Sequence, residues 1–266
     1  SDDDGNTWTS VATTPPSSAK YNAASFPLPD TGYLAGDGGV VLKLRRDSTG
    51  AYTLTDLNPP PPVVNYNDVY AAPQPGRLVI VVGDNGRMLQ SVDRGVSWIG
   101  VVSGTTKNLR SITYMASNDI YAVGDGGTIL KGRVARTWAA QSPPFIQSGV
   151  NYHCIRFFRI GGRGYVVGSN GAIAYTTNGG TIWKPVETEV SATLRSIFIP
   201  PAGIPEFQGH QNRAWIVGDN GTILRTDDST WVQQVSGTTA ALHNVKFVDS
   251  IRGWVCGADG LILKTT

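Results

Sequence analysis

The stretch WIVGDNGTILRT (215–226) decides the fold, because five close copies of it occur elsewhere in the chain. Each copy places a Gly-Asp-Asn-Gly or similar turn between two short apolar runs. The other copies are YLAGDGGVVLKL (33–44), IVVGDNGRMLQS (80–91), YAVGDGGTILKG (121–132), YVVGSNGAIAYT (165–176) and WVCGADGLILKT (254–265). Asp-Gly or Asn-Gly between β-forming runs supplies the positive φ angles of a tight turn. Each copy therefore predicts a β-hairpin.

The copies are regularly spaced along the chain. Their first glycines lie 39 to 50 residues apart, with a mean of about 44, at Gly36, Gly83, Gly124, Gly168, Gly218 and Gly257. A repeat of this length that contains several short strands is typical of a β-propeller. NPPPPVV (58–64) and PPAGIPEFQGHQN (200–212) account for the two longest spacings as insertions. The sequence therefore predicts six repeats.

The third repeat indicates how many strands one unit holds. We predict a first strand over 109–114, hairpin strands over 119–124 and 128–132, and a last strand that begins near Trp138. Four antiparallel strands form one propeller blade. The predicted fold class is thus all-β, a six-bladed β-propeller of four-stranded antiparallel blades, with residues 1–266 as a single domain.

A second phrase predicts how the ring closes. The pattern S/T-x-D-x-G-x-x-W, called the Asp-box, occurs as SVDRGVSW (91–98), TTNGGTIW (176–183), a shortened TDDSTW (226–231) and SDDDGNTW (1–8). The sixth repeat stops at LILKTT (261–266), where its own Asp-box would follow. We therefore expect residues 1–11 to complete the C-terminal blade, which would protect its edge.

Composition narrows the classes of function. Charged residues make up 16% of the chain and the formal net charge is +2, so no concentrated basic face for nucleic acid is predicted. No run approaches the roughly 18 apolar residues of a membrane span. The opening SDDDG has no signal-like apolar region, and we expect a mature or trimmed form of an exported protein.

Cys154 and Cys256 lie in predicted strands of non-adjacent blades, and we interpret them as buried, inert thiols.

The two phrases joined, GWxVGxxGxILxTxDGGxTW, resemble the photosystem II stability/assembly factor-like family of BNR and Asp-box repeat propellers over essentially the whole chain. The resemblance implies a non-catalytic secreted, periplasmic or lumenal scaffold. Such a protein would bind another envelope or extracellular protein as an assembly or accessory factor. Photosynthetic members are usually described as seven-bladed, whereas this sequence has six repeats. The resemblance therefore supports the propeller fold more strongly than it supports a role in photosystem assembly.

The alternative is a carbohydrate-binding module or a relative of the sialidases, which are also six-bladed Asp-box propellers. Sialidases resemble this chain in fold but use three arginines, a Tyr–Glu pair and an Asp for catalysis. All three glutamates here, Glu187, Glu189 and Glu206, fall in predicted loops. The Phe/Tyr-Arg-Ile-Pro signature of sialidases is missing, and no Gly-x-Ser-x-Gly or Cys-His motif accompanies the histidines. No catalytic residue is predicted.

Metal and cofactor sites are not predicted either. DDDG at residues 2–5 lacks the spacing and the later Glu of a calcium loop. The Asp-box side chains Asp3, Asp93, Asp228 and Asn178 are expected to bond within their own turns. All seven tryptophans occupy repeat positions, which favours packing between blades.

One repeat position varies in a way that suggests binding. The second residues of the six first strands are Asn22, Asn67, Arg110, His153, Arg195 and His243. In a propeller these positions would surround the axis, and Arg and His there would attract a carboxylate, a phosphate or an acidic segment. The alternative is that these side chains pair with the turn aspartates Asp37, Asp84, Asp125 and Asp219. Arg195 between the two histidines argues against a metal.

Long loops are a second candidate surface. Several proline-rich loops should lie on the same face as the second residues of the six first strands. These loops are 13–20, 58–65, 139–151 and 185–192. The insertion at 200–212 should lie on the opposite face. Loops stiffened by proline lose less entropy when they bind a partner. Tyr21, Tyr66 and Tyr152 adjoin the candidate residues and keep the glycan alternative open. The loops could equally be simple connectors.

Overall fold

The computed structural model describes residues 20–73, 75–115, 119–134, 138–141, 149–158, 161–201, 205–210, 212–227 and 230–265. In these ranges the regular structure is β-strand with short 3-10 turns, arranged in six antiparallel sheets. The architecture is the six-bladed β-propeller that the repeats predict. No helix within the described ranges is long and apolar enough to cross a bilayer.

Residues 20–83 and 89–100 form one compact unit, the N-terminal unit. Its first blade consists of β1 (Tyr21–Leu28), β2 (Thr31–Gly36), β3 (Val41–Arg46) and β4 (Tyr52–Asp56). Its second blade consists of β5 (Tyr66–Ala71), β6 (Val79–Gly83), β7 (Met88–Ser91) and β8 (Ile99–Gly100). The core of this unit includes Tyr33, Val41, Tyr66, Val81 and Leu89.

Residues 84–88 and 101–265 form the other compact unit, the C-terminal unit. Blade three consists of β9 (Leu109–Tyr114), β10 (Ile120–Gly124), β11 (Ile129–Gly132) and β12 (Ala139–Ala140). Blade four consists of β13 (Tyr152–Phe157), β14 (Gly164–Gly168), β15 (Ile173–Thr176) and β16 (Lys184–Val186). Blade five consists of β17 (Leu194–Phe198), β18 (Ala214–Gly218), β19 (Ile223–Thr226) and β20 (Trp231–Gln234). The strands predicted for blade three are confirmed.

Blade six has three strands in the described part of the chain: β21 (Leu242–Phe247), β22 (Gly253–Gly257) and β23 (Ile262–Lys264). Its edge strand β23 carries Ile262, which is 56% exposed. The strand expected from residues 1–11 lies outside the described residues. Closure of this blade by the N-terminus and the single-domain organisation therefore stay predictions.

The first glycine of each repeat permits a close backbone approach. A Cβ on Gly124 would lie 1.9 Å from the carbonyl oxygen of Asn108, just before β9. The φ angle of Gly124 is −170°, which any residue adopts, so the requirement is one of space. The next amide, Asp125 N–H, donates to that same carbonyl oxygen at 2.9 Å. The glycine thus lets the hairpin turn lie against the start of the innermost strand.

Asparagines connect three of the turns to the following blade. Asn108 Oδ1 accepts a hydrogen bond from the Asn85 amide at 3.0 Å, and Asn151 Oδ1 accepts one from the Gly126 amide at 2.9 Å. The first blade repeats this with Asn65 Oδ1 and the Gly38 amide at 3.0 Å. The loop ends before the first strands are therefore fixed by hydrogen bonds to neighbouring turns.

The tryptophans pack as the repeats predict. Trp138, Trp183 and Trp215 are buried, and Trp98 and Trp231 pack against the cores of their units. Trp254 on β22 is half-buried, with the ammonium of Lys264 5.6 Å from its ring centroid. Trp8 lies outside the described residues.

The Asp-box loops are stabilised by hydrogen bonds within their own turns. Asp93 accepts the Ser97 amide at 2.9 Å and the Ser91 hydroxyl at 2.7 Å. Hydrogen bonds from Ser97 and then Ser91 lower the pKa of Asp93 to about 2. Asn178 accepts the Ile182 amide at 2.9 Å. The prediction of bonding within these turns is confirmed for Asp93 and Asn178, whereas Asp3 and Asp228 lie outside the described residues.

The prediction for the cysteines is wrong for one of them. Cys154 on β13 is buried, as expected, but Cys256 on β22 is exposed. Val255, its neighbour in the strand, faces the core of the C-terminal unit. Cys256 points to the other face of the sheet because successive strand residues alternate. That face is not covered by the described residues of the same unit, so the thiol is accessible in them.

The insertion at 200–212 contributes to the core. Residues Pro205–Phe207 form a 3-10 turn between β17 and β18, and Phe207 is only 2% exposed. Its ring centroid lies 6.0 Å from that of Phe198. The insertion is therefore part of the packed structure, which the sequence analysis did not predict.

Candidate binding site

The six candidate residues share a backbone irregularity. In each first strand, the register with the second strand skips one position directly after the first residue. In blade three, for example, Leu109 lies opposite Gly124 and Ser111 lies opposite Val123, so Arg110 has no partner residue. Such a β-bulge redirects a side chain and is common next to binding sites. The skipped residues are Asn22, Asn67, Arg110, His153, Arg195 and His243.

Two arginines bind the aspartate of their own turn. Arg110 donates from Nε and Nη2 to the two carboxylate oxygens of Asp125, with 3.1 Å for the Nη2 bond. Arg195 donates in the same way to Asp219, with 3.0 Å for the Nη2 bond. In the N-terminal unit, Asn22 Nδ2 donates to Asp37 Oδ1 at 2.7 Å. These three residues make the turn contacts that the structural alternative expects.

The histidine positions differ in their turn residue. Where the first strand carries Arg or Asn, the turn begins with Asp, as with Arg110 and Asp125. Where it carries His153 or His243, the turn begins with Ser169 or Ala258 instead. The cations are therefore matched by acids within their own blade, and the histidines are not.

His153 lies within the electrostatic reach of both arginine pairs. Burial first, and then the positive charges of Arg110 and Arg195, lower the pKa of His153 to about 4, while Asp125 and Asp219 oppose this. The imidazole is therefore neutral at neutral pH, with one nitrogen that donates and one that accepts. His243 on β21 is exposed, and Asn67 on β5 is half-buried.

The paired arginines keep capacity for a ligand. A guanidinium has five N–H groups, and the described residues accept two of them from Arg110 and two from Arg195. Their side chains are 36% and 37% exposed. The aspartates fix the orientation of each guanidinium, which reduces the entropy lost on binding. We call Arg110, His153 and Arg195 with Asp125 and Asp219 the Arg-His-Arg row.

Two further cations lie farther along the first strands and were missed in the sequence. Arg156 on β13 donates to Ser111 Oγ at 3.2 Å, and the Lys246 ammonium on β21 lies 5.3 Å from the Phe198 ring centroid. Burial and the nearby Arg156 lower the pKa of Lys246. Both are fifth residues of first strands, so comparing that repeat position would have found them.

Two of the three tyrosines that keep the glycan alternative open are buried, and the three glutamates lie off the first strands. Tyr66 and Tyr152 are 1% and 4% exposed, and of the three candidate tyrosines only Tyr21 presents a substantial surface, 37%. Glu187 and Glu189 lie between β16 and β17 and Glu206 lies in a 3-10 turn, so none is on a first strand. No group of three potential metal ligands occurs in the searched ranges. The loop segments 13–19 and 142–148 lie outside the described residues.

Comparisons with known proteins give a structural likeness. No family model matches the sequence, and no curated protein matches it. The chain is similar to the solved structure of YCF48 bound to a D1 peptide, with a TM-score of 0.75 and 19% identity, over 98% of this chain and 84% of that one. It is also similar to YCF48 from Cyanidioschyzon merolae, with a TM-score of 0.56 and 17% identity, over 97% of this chain and 98% of that one. The likeness confirms the propeller fold that the family resemblance implies.

Proposed function

We propose that this propeller is a non-catalytic scaffold that binds a segment of another protein through the Arg-His-Arg row and acts outside the cytosol as an assembly or accessory factor. His243, which lies in the same compact unit, would extend the contact. The partner segment would present a carboxylate or other acceptor groups to the guanidinium N–H groups, as arginine forks commonly bind them.

One observation carries the proposal: Arg110 and Arg195 are oriented by aspartates on either side of the neutral His153. Rigid donors on strand bulges are suited to recognition because little order must be gained on binding. The row also offers donors and acceptors together, which fits a peptide better than a simple anion. The D1 peptide bound to YCF48, a protein of the same fold, supports a peptide ligand.

An affinity capture from the envelope fraction of the source organism tests the proposal. The wild type would be compared with an Arg110→Ala/Arg195→Ala double variant. The control is Arg133→Ala/Arg225→Ala, because Arg133 and Arg225 lie in or next to the same two blades and also pair with aspartates. We expect the wild type and the control to enrich the same protein, and the Arg110/Arg195 variant to bind that purified protein at least about tenfold more weakly.

Equal binding by all three proteins would overturn the Arg-His-Arg row as the binding surface. Capture of no protein, together with binding to a glycan panel, would favour the carbohydrate alternative. A circular dichroism melt of each variant would show that the double variant is folded at the assay temperature.

A further inference from the structure

The N-terminal unit contains a cavity of about 280 Å³ at the strand ends away from Asn22. Its lining comes from the turn between β1 and β2, from residues 72 and 76–78 of the connection between β5 and β6, and from Arg94 after β7. Its volume lies just below the range of small-molecule sites, about 300–1,000 Å³. It contains none of the residues of the proposed protein-binding surface.

The cavity is strongly basic. Its lining includes Lys43, Arg45, Arg77 and Arg94, against a single carboxylate from Asp30. These cations come from three separate segments of the chain, since Lys43 and Arg45 lie on β3, Arg77 precedes β6 and Arg94 follows β7. A fold that brings four cations together around one small volume concentrates positive potential there.

Lys43 lies within the electrostatic reach of two other cations of the cavity, Arg94 and Arg45. Its ammonium lies 5.7 Å from the ring centroid of Tyr33, and the Tyr33 hydroxyl donates to the carbonyl oxygen of Arg94 at 3.2 Å. Burial lowers the pKa of Lys43, and the positive charges of Arg94 and Arg45 lower it further. The ammonium is thus held in a half-buried position next to two like charges.

The charges of Lys43, Arg45 and Arg77 are not balanced by acids in the described residues. No carboxylate in these ranges lies within ion-pair distance of Lys43, Arg45 or Arg77, and the Asp30 carboxylate accepts the Thr31 hydroxyl at 3.0 Å. Like charges gathered without counter-charges raise the energy of the empty cavity. A bound dianion would remove that cost, because it would attract all four cations.

We propose that this cavity binds a phosphate group, either as inorganic phosphate or as the head group of a phospholipid. Arginine forks and a lysine ammonium are the side chains that bind phosphate oxygens. The cavity is larger than a phosphate group alone, so it also has room for the atoms next to the phosphate of a larger ligand.

Thermal unfolding in sodium phosphate, compared with sodium chloride at the same ionic strength, tests the proposal. We expect phosphate to raise the Tm of the wild type and of the control Lys184→Gln, whose lysine is exposed on β16, but not that of Lys43→Gln. In phosphate-free buffer of low ionic strength, Lys43→Gln should melt no lower than the wild type, because the substitution removes a repelled charge. Calorimetric titration should give an affinity for phosphate at least about tenfold weaker in Lys43→Gln and stronger in Asp30→Asn.

Co-sedimentation with phosphatidylcholine vesicles, with and without phosphatidic acid, distinguishes the two sources of the phosphate. Vesicle binding that needs both phosphatidic acid and Lys43 would assign the site to a head group, and a Tm shift without vesicle binding would assign it to free phosphate. The proposal is overturned if phosphate shifts the Tm no more than chloride does and vesicles bind no better with phosphatidic acid. An equal response of Lys43→Gln and the wild type in both assays would overturn it too.

Discussion

At the scale of single residues, the bulged second positions carry the chemistry of the first strands. In the sequence they follow one rule: the turn of the same repeat begins with an aspartate where the bulged residue is an arginine or asparagine, and with Ser169 or Ala258 where it is a histidine. The rule leaves Arg110 and Arg195 oriented but incompletely bonded, and it leaves His153 neutral. Oriented arginines and a neutral histidine can recognise a partner even though the proposed binding surface itself has little net charge.

His153 predicts a specific pH dependence of stability. Its pKa is about 4 in the folded protein, below the 6.5 of an unperturbed histidine, so between these pH values the unfolded chain binds a proton that the folded chain does not. Stability from this group is therefore present above about pH 6.5 and is lost as the pH falls towards 4. Urea unfolding at pH 7 and pH 5 should show a smaller drop in the free energy of unfolding for His153→Gln than for the wild type.

The comparison between variant and wild type cancels the contributions of the groups that both proteins retain. The carboxylates of Asp93 and Asp249 have pKa values of about 2 and do not titrate between pH 5 and 7. An identical drop in the two proteins would show that His153 is not the group responsible.

At the scale of elements, aromatic rings at the ends of first strands cover glycines at the starts of second strands. A Cβ on Gly164 would lie 2.5 Å from the ring of Phe157, and one on Gly253 would lie 2.5 Å from the ring of Phe247. The Phe157 ring is held by Tyr121, with centroids 4.4 Å apart, and by Trp183, at 5.9 Å. This contact links the two inner strands of a blade to the blade beside it.

Gly164→Ala should therefore destabilise the protein by about 1–3 kcal/mol, since the added methyl group must displace a packed ring. Chemical denaturation would measure the change. The double variant Gly164→Ala/Phe157→Leu should lose less stability than the sum of the two single variants, because the smaller leucine leaves room for the methyl group. Strictly additive effects would mean that the ring and the glycine do not interact in this way.

The elements were predictable because the signals are local. A strand–turn–strand phrase such as YAVGDGGTILKG contains its own turn residues and its own alternation, and the strands of blade three lie where that phrase predicts them. What depends on distant residues was not predictable. Burial of Phe207 requires the fifth blade's core. Exposure of Cys256 follows from an uncovered face of β22. The proximity of Arg156 and Lys246 requires two blades to be in place.

The sequence identified the repeat position of the six candidate residues but not their backbone geometry or protonation state, and their role in binding stays a prediction. The repeat located all six residues, and the alternative of pairing with turn aspartates described Asn22, Arg110 and Arg195 correctly. The bulges and the neutral His153 depend on backbone register and on burial, which the order of residues does not reveal. The cavity around Lys43 was missed for the same reason, because its cations are far apart in the chain.

At the scale of the whole molecule, the sixth blade raises the question of what covers its edge. Trp183 of blade four is 1% exposed, and Trp8 occupies the matching position in the phrase SDDDGNTW. If residues 1–11 complete the sixth blade, Trp8→Ala should destabilise the protein by about 3–5 kcal/mol, as large as the effect of Trp183→Ala. Guanidinium unfolding of the two variants makes the comparison, and a Trp8→Ala variant as stable as the wild type would refute closure by the N-terminus.

Hydrogen–deuterium exchange of the protein, alone and saturated with its captured partner, tests the central claim most directly. The account predicts slower amide exchange on binding at the starts of β9, β13 and β17, around Arg110, His153 and Arg195, with no such slowing in the Arg110→Ala/Arg195→Ala variant. Slower exchange confined to other surfaces, or unchanged exchange at these three strand starts, would contradict it.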